Sequence, residues 1–272
     1  MKQYNDPLSI QKINNVPTFV HSIATGVLSG EIYTDDINQQ QYNMLKDIDT
    51  DKKIQSLPLW VESEKRFCYV RGHLDTTSDA FCNFVKIRCQ QRLEQAGRFI
   101  VFSDCNDWDQ FLNTHFTNSI QKTTRKSLLY KRTQPPYIYK TLPPGYSLQK
   151  INEAVIHKSR LFDEKYYREY WNSISNYVTN GFGYAIIYKD EVVCECTSIF
   201  ANKWSVEIDI QTDTNHRGLG LASIAAKAFI EHGLNQEQKV IWDCTLSNTV
   251  SYQLALQLGF EHVHTYNLWN RS

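Results

Sequence analysis

A short segment late in the chain joins a fixed cation, two glycines and the start of a helical pattern: Arg217-Gly218-Leu219-Gly220-Leu221-Ala222. The first turn of a helix has amide donors without intrahelical partners and carries partial positive charge. Glycines let a ligand approach the backbone without side-chain clash. Together these features suit a diphosphate, and Arg217 adds charge at the same place. Just upstream, Val206, Ile208 and Ile210 alternate with Glu207, Asp209 and Gln211. That is strand periodicity, and it puts Glu207 and Asp209 on the face opposite the apolar residues. A carboxylate there could take a proton from a nucleophile. The competing reading of Glu207 is a solvated or salt-bridged carboxylate. Asp209 is the alternative base, and Asp243 on the next strand is a weaker one.

Two common phosphate loops do not fit. A dinucleotide fingerprint needs a third glycine where Ser223 stands, and a Walker loop needs Gly-Lys-Ser/Thr. The pattern that remains is R-x-x-G-x-A.

The elements that must hold these residues read clearly after Tyr146. Tyr184–Tyr188 and Val192–Phe200 flank the polar tip Lys189-Asp190-Glu191, so they form a hairpin. The Val206–Gln211 strand follows. Leu221, Ile224, Ala225, Ala228 and Phe229 then mark one helical face, with Gly233 expected to end the helix. Val240–Thr245 reads as a strand. Val250, Leu254 and Leu258 mark a helix stopped by Gly259, and Phe260–Leu268 is the last strand. Cys194 and Cys196 read as small buried residues.

The earlier part, to about Arg132, reads as mixed α and β. Arg66–Arg71 and Arg98–Ser103 look like strands, and Ser78–Ala96 like a helix capped by Gly97. Asn106–Phe116 reads as another helix. Asp104, Asp107 and Asp109 are taken as capping and solvated first-turn carboxylates rather than a metal site, and no metal is expected. Pro135, Pro136, Pro143 and Pro144 cluster in Gln134–Gly145, which disfavours helix there. The expected division is therefore 1–133, a linker at 134–145, and 146–272. No internal sequence repeat is evident.

Composition narrows the function. With 29 Lys+Arg against 29 Asp+Glu the formal net charge is zero, so no electrostatic case exists for nucleic acid. No apolar run reaches the ~20 residues of a bilayer span, and Met1–Asn15 is polar rather than a secretory signal. Seven Cys, an odd number lying in apolar or helical stretches, argue against a disulfide framework and for a cytoplasmic protein.

The Arg217–Ala222 loop resembles the coenzyme A loop of the GNAT superfamily of N-acetyltransferases. Asn248, Ser251, Leu254 and Leu258-Gly259-Phe260 resemble the later GNAT helix, N-x-x-[AS]-x-x-L followed by L-G-F. Gly181-Phe182-Gly183, Glu207–Thr212 and Trp242-Asp243-Cys244 are most similar to the two-part GNAT family that includes zwittermicin-type antibiotic-resistance acetyltransferases. The resemblance covers about Tyr146–Leu268. It implies an α/β (α+β) fold with a mixed sheet splayed at its centre and flanked by helices. The N-terminal α/β part is then auxiliary or itself GNAT-like.

The resemblance also implies direct acetyl transfer from acetyl-CoA to an amine of a small molecule. The pyrophosphate would sit on Arg217, Gly218, Leu219, Gly220, Leu221 and Ala222. The backbone of Ile210, Gln211 and Thr212 would hold the pantetheine arm, with Asn248 and Ser251 beside the splayed gap. Glu207 is the candidate base. Many relatives carry a proton-donating Tyr seven residues after the motif Asn, but here that position is Ala255, and Tyr252 is the candidate substitute. His216 is read as packing or an adenine-side contact. An acyl-CoA sensor or weakly active module is the alternative function, and a homodimer is allowed.

Overall fold

The computed structural model describes residues 2–3, 10, 13, 16–35, 57–131 and 141–272. Pro135 and Pro136 of the expected linker lie outside the described residues, and 141–145 contain no helix or strand. The chain divides into two compact units, Met1–Arg125 with Tyr266–Ser272, and Lys126–Thr265. This division differs from the one expected at the prolines at both ends of the second unit: residues 126–131 belong to the second unit and the last seven residues to the first.

In the first unit, β1 (Lys2–Gln3) pairs antiparallel with β2 (Gly30–Thr34), which follows α1 (Thr18–Ala24). β2 pairs antiparallel with β3 (Leu59–Ser63), and β3 with β4 (Phe67–Arg71). Helix α2 (Asp79–Glu94) then leads to β5 (Ile100–Ser103), parallel to β4. Helix α3 (Asn106–Phe116) leads into β6 (Ile120–Tyr130). Phe81, Val85 and Cys89 of α2 and Trp108 and Leu112 of α3 bury themselves with Trp60, Val70, Val101 and Trp269. The periodicity of α2 thus holds, but its C-cap is the extended Gln95 rather than a glycine.

Two carboxylates are central to this unit. Glu62 is 1% exposed and is held by Trp60 Nε1 at 2.8 Å and by the guanidinium groups of Arg88 and Arg92 from α2. Asp109 is not a solvated first-turn residue. It is buried and accepts hydrogen bonds from Ser103 Oγ, Asn267 Nδ2 and, at 2.7 Å, Trp269 Nε1. The helix dipole gives it a favourable place, and three donors hold it there.

Among the described residues, the second unit repeats the order of strands, with three helices in place of α1. After β7 (Tyr146–Lys150) come three short helices, α4 (Glu153–Lys158), α5 (Glu164–Trp171) and α6 (Ile174–Asn180). Strands β8 (Gly183–Tyr188), β9 (Glu191–Ala201) and β10 (Ser205–Thr212) are antiparallel neighbours. Helix α7 (Leu221–Asn235) leads to β11 (Lys239–Thr245), parallel to β10. Helix α8 (Thr249–Leu258) and β12 (Phe260–Arg271) follow. The hairpin forms as expected with a tip one residue shorter: Glu191 opens β9, and Lys189 and Asp190 have φ of 48° and 64°, a two-residue turn whose twist matches the strands.

Gly259 ends α8 with φ of 99°, as expected, whereas Gly233 does not end α7. It lies inside the helix, where an added Cβ would meet Val240 Cγ2 at 2.8 Å. That glycine serves close packing of helix on sheet. Val250 is 80% exposed, so the buried side of α8 is Ala255 and Leu258.

Candidate active site

β10 is paired to β9 along most of its length, from Val206↔Ala201 to Thr212↔Cys194. On its other edge the register with β11 stops at Ile208↔Trp242, although β10 runs on to Thr212 and β11 to Thr245. The two parallel strands therefore part company at Asp209 and Asp243. Ile210 and Thr212 are half-exposed and Gln211 is exposed, as the edge of an open seam requires.

The chain turns directly from this seam into the glycine loop. Asp213 accepts a hydrogen bond from Asn215 N, and a short turn over Thr214–His216 follows. His216 Nδ1 lies 2.8 Å from Tyr146 Oη, against the stacked Tyr146 and Tyr188 rings, so the expected packing role holds. Arg217 is exposed, and its Nε donates to Thr212 O at 3.3 Å, which ties the loop to the end of β10. Gly218 and Gly220 have φ of 79° and 80°, a left-handed conformation that favours glycine. Among the described residues, no atom beyond its two chain neighbours lies within 4 Å of a Cβ built at Gly218. Gly220 is the N-cap of α7 and supplies no side-chain acceptor, and no acidic residue lies in the first turn. Leu221 is 1% exposed and anchors the helix start, while Arg217, Gly218 and Leu219 face solvent. A helix start with this geometry, uncapped by its own side chains and flanked by a guanidinium, fits a diphosphate.

Asn248 and Ser251 stand at the start of α8, directly after β11. Asn248 Oδ1 caps the helix by accepting from Ser251 N at 3.1 Å, and Ser251 Oγ accepts from Trp242 Nε1 at 2.9 Å. Tyr252 is half-buried beneath Lys126, whose Nζ is 3.8 Å from the ring centre. Ala255 is fully buried.

Glu207 and Asp209 share a face of β10 with Thr197 of β9, which is paired with Asp209. Glu207 is 8% exposed. Asp209 accepts from Tyr166 Oη at 2.9 Å, and burial together with that carboxylate holds the Tyr166 phenol well above its ordinary value. Phe162, Tyr166 and Tyr170 of the α4–α5 region form a ring cluster beside them, at centroid separations of 4.4 and 4.6 Å.

Sequence reasoning missed Glu195, which is fully buried on β9 opposite Gln211. One carboxylate oxygen accepts from Ser159 Oγ and from Phe162 N at 3.1 Å, while Oε1 has no hydrogen-bond partner among the described residues. Burial pushes this carboxyl up to about 7, against the lowering effect of those hydrogen bonds. The available signal was a charge inside the otherwise uncharged run Val192–Phe200. Burial pushes the neighbouring Cys194 thiol up to about 12 and Cys196 well above its ordinary value, which disfavours the nucleophilic thiolate form of both.

Known proteins bear on this arrangement. The model of the GNAT acetyltransferase family matches residues 9–269. An N-acetyltransferase of Bacillus subtilis (strain 168), YdfB, described as uncharacterized, is 32% identical over 272 residues, covering 98% of this chain and 95% of that one. A GCN5-related N-acetyltransferase-like protein from Streptococcus suis superposes with a TM-score of 0.67 at 17% identity, over 98% of this chain and 100% of that one. A tandem GNAT protein from the clavulanic acid biosynthesis pathway gives 0.55 at 12% identity, over 79% and 78%. These two likenesses speak to the fold. The family match over nearly the whole length, together with the full-length relative, makes this chain an acetyltransferase of the GNAT family.

Proposed function

We propose that the chain transfers an acetyl group from acetyl-CoA to a primary amine of a small molecule by direct attack. The observation that carries this reading is the end of β10–β11 pairing at Ile208↔Trp242, next to a glycine-capped helix start. Acetyl-CoA supplies an activated acyl thioester. Arg217 and the amides of Gly218–Ala222 hold the diphosphate. The backbone of Ile210, Gln211 and Thr212, on the open side of the seam, holds the pantetheine arm and donates to the thioester oxygen as it gains charge. Asn248 and Ser251 border the same gap. Glu207, or Asp209 beside it, accepts the proton that the attacking amine must lose. Tyr252 is the candidate donor to the leaving sulfur.

Calorimetry with acetyl-CoA tests the cradle. Gly220→Glu is expected to weaken binding by roughly 100-fold or more, about 2.7 kcal/mol, through steric fill and like charge. Unchanged affinity would remove the loop from the site. Glu207→Gln is expected to lower kcat by about 100-fold with little change in acetyl-CoA affinity. An unaltered rate with an identified acceptor would remove Glu207 from the mechanism.

A second reading, an acyl-CoA sensor, is favoured by the buried Ala255 where many relatives carry the proton-donating Tyr. Thiol release in the presence of polyamine and aminoglycoside panels separates the two. Binding without turnover supports the sensor.

A further inference from the structure

The two units follow the same course through their central elements. β2-β3-β4, α2, β5 and α3 in the first unit match β8-β9-β10, α7, β11 and α8 in the second. In each, two antiparallel pairings precede a helix and a parallel strand. The start of α2 in the first unit is therefore the topological counterpart of the glycine-capped start of α7.

The two starts are chemically opposite. Gly220 leaves the first amides of α7 without a side-chain acceptor. At α2 the N-cap is Ser78, with φ of −69°, and its Oγ accepts from Phe81 N at 3.1 Å. Ser78 is itself gripped by a carboxylate: Asp35 Oδ2 accepts from Ser78 N at 2.7 Å, and Oδ1 accepts from Ser78 Oγ at 2.6 Å. Asp35 is 6% exposed, so this is a built-in contact and not a surface encounter. The loop into α2 has no glycine beside the helix. Gly72, at its far end, lies against Pro58, whose Cα would be 2.9 Å from an added Cβ. Asp75 and Asp79 stand in the first turns of this segment, whereas α7 has no acidic residue in its first turn. A diphosphate approaching α2 would meet three carboxylates and an amide already bonded to one of them.

We infer that the first unit is a second copy of the acyltransferase framework in which Asp35 fills the place an acyl-CoA diphosphate would take, so each chain accepts one acyl-CoA, on the second unit alone. The other buried carboxylates of the first unit fit a framework without chemistry. Arg88 and Arg92 neutralise Glu62, and Ser103, Asn267 and Trp269 hold Asp109. The inference rests on the coenzyme reading of the second unit.

Calorimetric titration of the full-length chain with acetyl-CoA tests it. The expected result is one equivalent bound per chain, and none for a Gly220→Glu variant whose melting profile stays that of a folded protein. Two equivalents in the unaltered chain, or one surviving in Gly220→Glu, would overturn the inference while leaving acetyl-CoA as the ligand. Zero equivalents in the unaltered chain would overturn the coenzyme reading itself, and this inference with it. If Gly220→Glu fails to fold, Arg217→Glu, at an exposed position of the same loop, takes its place with the same outcomes.

Discussion

Glu195 illustrates how a single buried carboxyl makes the whole chain sensitive to pH. Its value of about 7 lies above the ordinary 4.5, so the folded chain holds that proton more tightly than the unfolded one. The stability this group contributes is complete below about 4.5, declines as pH rises, and is lost above about 7, a difference on the order of 3 kcal/mol. Glu195→Gln is expected to flatten that decline, and urea midpoints at pH 5, 6, 7 and 8 measure it. Identical profiles for the two proteins would mean another group titrates. Asp109 raises a different expectation. Asp109→Ala strips the acceptor from three donors at once and should cost about 3 kcal/mol in urea unfolding, because buried donors left unbonded keep their desolvation penalty. The strand alternation that puts Glu207 and Asp209 on one face is a local property, and it was legible. The partners of Glu195 lie 33 and 36 residues away, and no local pattern carries that distance.

At the scale of elements, the glycines separate what periodicity can foresee from what packing decides. Gly259 occupies a left-handed position that ends a helix, and the residues before it announce that. Gly233 follows an equally helical pattern, but its reason is the Val240 side chain of another element. Replacing a roomy helix-interior glycine by alanine should gain about 1 kcal/mol. Gly233→Ala is expected to lose about 1–3 kcal/mol instead, because Cβ and Val240 cannot share the space. Thermal unfolding reads the sign, and a stabilised variant would show that β11 can yield. In α8, residues 250, 254 and 258 drift by about 80° around the helix over two four-residue steps, so a stripe at that spacing leaves one end in water. Val250 is that end.

The whole molecule is organised by pairings that composition does not record. Trp269 belongs to the core of the first unit and donates to Asp109, 160 residues earlier. A fragment of residues 1–133, cut at the prolines, would lack that indole, the Asn267 amide and the strand that pairs with β5. It is expected to show no cooperative thermal transition by circular dichroism, and a sharp transition would mean the unit closes without them. The repeated order of elements was equally hidden, since the two units share a path and not a recognisable sequence. The late arrival of Trp269 also bears on synthesis. A nascent chain usually completes its N-terminal region first, at about 5–20 residues per second. Here the ribosome must add some 150 residues beyond α3 before that indole exists, on the order of ten seconds. The first unit thus closes its core only once residue 269 has been added, long after its own strands and helices up to α3 have been made.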